Sequence, residues 1–284
     1  NYSLDFDNNN VELPSDLLQN LNSFTFSAHF FADPSQTGFS NIVQQDDIAD
    51  IYIRYQNGLS DFNFYLNNGN GDVFSLYALA DGFSVPSVNT WHHVALTYDG
   101  TIASAYLDGV LLGSGPFTGS LSNFNSATMY IGNWQMQEDF NGDIDNVNIW
   151  NTALSEQEIL QYMNCPPTGS ESGLVGYWNF EQGSGTTAYD QTSNGNDGTI
   201  NGATYDTNVP TQSCALTNAN GCDSTAVLDL TINQPAAPTG LLCYESAAFN
   251  TGTCVWDISG SQPAAPTVLC YQTATWNGVT CSYD

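Results

Sequence analysis

The stretch WHHVALTYDGTIASAYLDGVLL, residues 91–112, decides the fold class. His92, Val94, Leu96 and Tyr98 alternate with their neighbours, the period of a strand buried on one face. Residues 102–112 then hold two apolar runs joined by Asp108-Gly109. That dipeptide favours a type I′ hairpin, whose two central positions both need positive φ. Upstream, Phe24, Phe26, Ala28 and Phe30 repeat the alternation, and Gly/Asn/Asp/Ser clusters punctuate the strand-like runs. Residues 1–164 therefore read as an all-β sandwich or jelly roll. One helix is predicted, where Ser155 and Glu158 form an S-x-x-E capping box ahead of Ile159, Leu160 and Met163.

Residues 165–214 are bracketed by Cys165 and Cys214 and carry a further strand, Gly-Leu-Val-Gly-Tyr-Trp-Asn-Phe from Gly173, then a Gly/Ser/Asn/Asp-rich region. This segment is expected to be clamped by a Cys165–Cys214 disulfide and to pack on the sandwich. Residues 215–233 read as a linker with one strand. Residues 234–284 repeat: Gln-Pro-Ala-Ala-Pro-Thr begins at Gln234 and again at Gln262, 28 residues later. Cys243/Cys254 match Cys270/Cys281 in register, and each pair is expected to close one local loop. The second copy stops short of the first, so the natural protein is expected to be longer. Cys222 is left over from seven cysteines. With no CxxC and no nearby His, oxidised pairs in a secreted protein fit better than zinc. One such repeat is too small to bury a core alone. Tyr244, Phe249, Trp256, Tyr271, Trp276 and Tyr283 are therefore expected to be covered by another copy of the chain, giving a homo-oligomer.

Composition narrows the function. The chain of 284 residues has 29 acidic residues and one basic residue, Arg54, for a formal net charge of -28. The anomaly is the missing Lys and Arg rather than added Asp and Glu. Such a surface repels nucleic acid and anionic lipid, which bind through basic side chains, and attracts divalent cations. Both a saline habitat and a functional cation site account for it. No apolar run approaches the roughly 18 residues needed to span a bilayer. Asn1 is not an initiator Met and no signal-peptide pattern follows it, as expected of a processed start or an excised piece.

Several phrases resemble the laminin-G-like jelly-roll family of the concanavalin-A-like superfamily. They are Tyr2-Ser-Leu-Asp-Phe-Asp7, Phe24-Thr-Phe-Ser-Ala28, the stretch from Trp91 to Gly100, Ala105-Tyr-Leu-Asp-Gly-Val110, Phe140-Asn-Gly-Asp-Ile-Asp-Asn-Val147 and Ile149-Trp-Asn-Thr-Ala-Leu-Ser155. The resemblance covers about residues 1–164. Residues 174–205 look like that family's opening segment, here placed after the domain. With the repeats behind it, the arrangement resembles very large surface adhesins and appendage proteins of Bacteroidota. That resemblance implies export by type IX secretion and a secreted or cell-surface location. Asp223-Ser224-Thr225 also resembles that phylum's short O-glycosylation signal.

The site candidates follow. Calcium takes six to eight oxygen ligands. Asp5 and Asp7 alternate on one strand, as do Asp143 and Asp145 on another. The resemblance implies that the two segments are neighbours, so a calcium site is expected from among these four, with Asp46-Asp47 as a second candidate. Sugar binding in this class of fold uses aromatic platforms with amide partners. Trp134, flanked by Asn133 and Gln135, is the first candidate for a glycan or cell-surface ligand, with Tyr52 and Tyr65 as further ones. Trp91, Trp150 and Trp178 are expected in the core. Catalysis is not expected. No paired-carboxylate run of a glycoside hydrolase, G-x-S-x-G, H-E-x-x-H or P-loop occurs. The strand pattern already explains His92 and His93 as core and edge positions. The reading is a non-enzymatic adhesin or filament component, with a structural homo-oligomer as the alternative and a glycosidase behind both.

Overall fold

The computed structural model describes residues 1–214 except 46–47, 57, 120, 125–126 and 133–138; beyond 214 it describes six short strands. The chain divides into two units, Asn1–Ser213 and Cys214–Asp284.

The first unit is built on two antiparallel eight-stranded sheets. The first sheet contains β1 (Ser3–Phe6), β3 (Phe24–Ala32), β8 (Trp91–Tyr98), β9 (Ile102–Leu107), β10 (Val110–Pro116), β12 (Gly142–Trp150), β13 (Leu174–Trp178) and β16 (Thr204–Asp206). Its order is β10-β9-β8-β3-β12-β1-β16, and β13 also pairs with β12. The second contains β2 (Asn10–Leu13), β4 (Ser40–Gln45), β5 (Asp50–Gln56), β6 (Asp61–Asn67), β7 (Val73–Tyr77), β11 (Met129–Ile131), β14 (Thr187–Ala188) and β15 (Gly198–Asn201), in the order β14-β15-β2-β11-β4-β5-β6-β7.

The alternating residues of the opening stretch do what their period requires. Val94 and Leu96 are fully buried between the sheets with Phe26, Phe30, Phe62 and Phe64. Each such ring contributes about 1.5–3 kcal/mol on burial. Asp108 and Gly109 take φ of 50° and 76°, closing the β9–β10 hairpin as a type I′ turn demands.

The single described α-helix, α1 (Glu156–Asn164), has the complete capping box: Ser155 Oγ accepts from Glu158 N–H, and Ser155 N–H donates to Glu158 Oε2. Below it Ile159 and Leu154 join Trp150, Tyr106, Ala95, Leu174 and Tyr177 in a second, smaller core on the outward face of the first sheet.

Residues 165–213 are part of the sandwich rather than an extension laid on it. Their four strands enter both sheets: β13 pairs with β12, β16 with β1 and β15 with β2. They cover strand edges that β1 and β2 would otherwise expose. Cys165 and Cys214 are both disulfide-bonded. β12 changes partner along its length, from β1 at residues 142–144 to β13 at 147–150. The change falls at a bulge after Asp145, where Asn146 has φ 52°. At the strand's start Gly142 has φ 128°, and a Cβ there would lie 2.0 Å from Phe31 O, so only glycine lets β12 enter beside β3.

The second unit shows three antiparallel pairs: Leu216–Thr217 with Asp223–Ser224, Ser246–Asn250 with Val255–Ser259, and Trp276–Asn277 with Ser282–Tyr283. One hairpin falls in each Pro-Ala-Ala-Pro-Thr repeat. The expected bridges Cys243–Cys254 and Cys270–Cys281, and Cys222, lie outside the described residues.

Candidate functional site

The outward face of the second sheet gathers the aromatic and amide side chains. In β5, Ile51, Ile53 and Tyr55 point inward and are fully buried. The period of two therefore sends Asp50, Tyr52, Arg54 and Gln56 outward. In β6, Phe62, Phe64 and Leu66 are buried in the core, leaving Asn63, Tyr65 and Asn67 outward. The register sets two rows across the strands, Asn41–Arg54–Asn63–Tyr77 and Gln44–Tyr52–Tyr65–Ser75.

Along the middle of this face four flat groups stack in order. Phe39, in the loop before β4, lies 4.1 Å below the Arg54 guanidinium carbon. The same carbon lies 3.8 Å from the Tyr52 ring centre. Tyr52 then stacks on Tyr65, with centroids 4.5 Å apart and planes 4° from parallel. Arg54 is 9% exposed and Phe39 38%. Burial pushes the Tyr52 phenol up to about 12, against the opposing pull of Arg54, so it stays a neutral donor and acceptor across ordinary pH. Asn41, Gln44 and Asn63 are buried beneath it, so what this face offers a ligand is ring surface and phenolic hydroxyls, groups that hold a polyol.

The sequence singled out Tyr52 and Tyr65, which this face brings together. Asn133, Trp134 and Gln135 lie outside the described residues, as do Asp46 and Asp47. Arg54 and Phe39 were missed as site residues. The available signal was a lone cation placed two residues from Tyr52 on a strand, which puts both on one face.

Of the acidic candidates, Asp5, Asp143 and Asp145 lie on the outward face of the first sheet. Asp5 and Asp143 sit directly opposite each other on β1 and β12. Burial, then Asp206, Asp33 and Asp7, raise the Asp5 carboxyl. Burial raises Asp143 to about 7 despite a hydrogen bond from Asn208 Nδ2 at 2.6 Å. Asp145 is 2% exposed and is raised by burial to about 8. Its two oxygens accept from Asn146 N–H and Asn146 Nδ2 at 2.7 and 3.0 Å. Asp7 lies in the exposed turn after β1. The four do not converge, and among the described residues no three His, Cys, Asp or Glu side chains form a set able to hold a metal ion. Asp145, with its oxygens bonded locally, fits calcium poorly; the Asp5–Asp143 pair is the part that fits.

Trp150 and Trp178 are in the core as expected. Trp91 instead stands half-buried on the outward face, its Nε1–H donating to Asn208 Oδ1 at 3.2 Å. His93 is buried with His29 on that face, ring centres 4.8 Å apart. Burial holds His29 down to about 4 and His93 well below the usual histidine range.

Two face-packed antiparallel sheets with this topology define a lectin-type jelly roll. The chain belongs to the laminin-G-like family of the concanavalin A-like lectin/glucanases superfamily, whose model matches residues 5–160. A curated relative, the sushi, von Willebrand factor type A, EGF and pentraxin domain-containing protein 1 of Rattus norvegicus, is 29% identical over 140 residues, 44% of this chain. The match spans 4% of that protein's length. A solved Bacteroides ovatus protein described as a candidate carbohydrate binder superposes with a TM-score of 0.58 at 19% identity, covering 75% of this chain and 61% of that one. The mouse laminin alpha1 LG4-5 structure is similar at TM-score 0.42 and 14% identity, over 55% of this chain and 43% of that one. At 19% identity the likeness to the Bacteroides ovatus structure shows the fold. Among the described residues no helix is long and apolar enough to cross a membrane.

Proposed function

We propose that the first unit is an extracellular glycan-binding module that uses the outward face of the second sheet. The observation that carries this reading is the stack Phe39–Arg54–Tyr52–Tyr65, in which Phe39 is exposed and the two tyrosines are half-buried, held over the buried Asn41, Gln44 and Asn63. Stacking spends the one cation on the rings, and the net charge of -28 repels acidic sugars, so neutral glycans are the favoured class. The description of the Bacteroides ovatus protein as a carbohydrate binder supports binding over glycoside hydrolysis. On a stalk of repeats such a module would serve an adhesin or surface appendage, with other copies of the chain as partners.

The calcium part of the proposal rests on the facing Asp5–Asp143 pair. A divalent cation there would offset the burial, and after it the carboxylate repulsion, that raise both Asp5 and Asp143.

A glycan array probed with the full chain tests the reading. Binding to neutral oligosaccharides is expected, with Phe39→Ala and Tyr65→Ala each weakening it about tenfold or more. An array without binders, or binders indifferent to both substitutions, would overturn it. Repeating the array and a thermal melt with EDTA tests calcium separately.

A further inference from the structure

A hydrogen-bonded chain of three side chains lies outside the aromatic face, at the start of β8. Ser87 Oγ is 3.0 Å from His92 Nε2, and His92 Nδ1 is 2.7 Å from Asp108 Oδ2. We infer that Ser87, His92 and Asp108 form a nucleophile–base–carboxylate relay in which Ser87 is acylated by neutral carboxylic esters.

The tautomer follows from the partners. An ionised carboxylate only accepts hydrogen bonds, so His92 Nδ1 carries the proton facing Asp108. Nε2 of the neutral ring then presents its lone pair to the Ser87 O–H, the arrangement a general base needs.

Each member is held from outside the trio. Asp108 Oδ1 accepts from His93 N–H at 2.8 Å, and Asp108 N–H donates to His93 O at 2.8 Å. The His92 ring packs against Phe30, centroids 5.6 Å apart, and its side chain is 12% exposed. The Ser87 loop is pinned on both sides: Pro86 O accepts from Tyr55 O–H at 3.1 Å, and Asn89 N–H donates to Ala32 O at 2.8 Å. Ser87 itself is exposed. A pinned base beside an accessible hydroxyl is what preorganised nucleophilic chemistry requires.

The reaction balances with water as the only co-reactant. The Ser87 O–H proton passes to His92 Nε2 as Oγ bonds to the ester carbonyl carbon. The adduct collapses, the C–O bond to the alcohol breaks, and His92 returns the proton to the leaving oxygen. Water attacks the acyl-serine in the same way and releases the carboxylic acid. The trio sits at an open rim with Asp108 47% exposed, so it supplies the base term of about 10²–10⁴-fold. Esters with good leaving groups are therefore substrates, and amides are not. The net charge excludes anionic substrates.

The test uses the full chain with a fluorophosphonate probe and p-nitrophenyl acetate, mapping adducts after chymotryptic digestion. The expected result is an adduct at Ser87 and ester turnover that Ser87→Ala abolishes. His92→Gln should slow both reactions about 100-fold. Asp108→Asn, which keeps an acceptor for His93 N–H but no longer fixes the base tautomer, should slow them about tenfold or more with an unchanged melt. No adduct at Ser87 above that on other serines, or rates in His92→Gln and Asp108→Asn equal to those of the unsubstituted chain, would overturn the inference.

Discussion

Arg54 lies flat on Tyr52, its guanidinium carbon 3.8 Å from the ring centre, with Phe39 closing the other side at 4.1 Å. The protein's one basic side chain is thus spent on two aromatic faces. Replacing it with Lys keeps the charge but loses the plane that stacks. Arg54→Lys is expected to cost about 1–2 kcal/mol of stability, the worth of a desolvated cation–π contact. Urea unfolding measures this, and an unchanged midpoint would count against the stack as an energetic unit.

The same residue sets protease sensitivity. Arg54 is the only trypsin site in the chain and sits within β5 at 9% exposure. Native protein is expected to survive trypsin, while unfolded, reduced protein should give two pieces, 1–54 and 55–284. Rapid cleavage of the native chain at Arg54 would show that β5 opens readily.

Asp145 makes stability fall with rising pH. Its ordinary value is 3.8 and its folded value about 8. Between these values the folded chain keeps a proton that the unfolded chain has released, so folding weakens as pH rises through the window. Asp145→Asn cannot ionise. It is expected to raise the melting temperature at pH 8–9 by about 2–4 °C for each kcal/mol regained, with the gain vanishing near pH 4. A gain independent of pH would refute the assignment.

His29 and His93 act in the opposite direction. Both are held neutral, His29 down to about 4 against an ordinary 6.5. Their contribution is full above pH 6.5 and is lost as pH falls toward 4, because the unfolded chain takes up protons first. The two trends oppose each other in the global melt, so the readout is local. His29 is hydrogen-bonded to the Met163 carbonyl on α1, so amide protection across residues 156–164, taken relative to the intrinsic exchange rate at each pH, should fall between pH 6 and 4 before that of β3 and β8.

Salt tests the charge balance. With a net charge of -28, self-repulsion should dominate at low ionic strength. Raising NaCl from about 10 mM to 1 M shortens the screening length from about 30 Å to about 3 Å and is expected to raise the melting temperature by several degrees. A flat salt profile would mean that the carboxylates are already neutralised, by protons or by bound cations.

The sequence by itself determined the sandwich, the Asp108-Gly109 hairpin and the α1 cap, because these depend on local period, positive φ and short-range hydrogen bonds. Only the tertiary structure decided what residues far apart in the chain do together. Period two says that Tyr52 and Arg54 share a face, but strand order and register bring Tyr65 beside Tyr52 and set Asn41 and Asn63 on either side of Arg54, with Phe39 arriving from a loop. Asp5 and Asp143, far apart in the chain, are set opposite each other by strand pairing, while the bulge at Asn146 binds Asp145 to its own neighbour. Likewise nothing local assigns residues 174–206 to both sheets. Strand edges can be satisfied by any segment of suitable length, and the choice among them is made by long-range pairing, which local sequence does not encode.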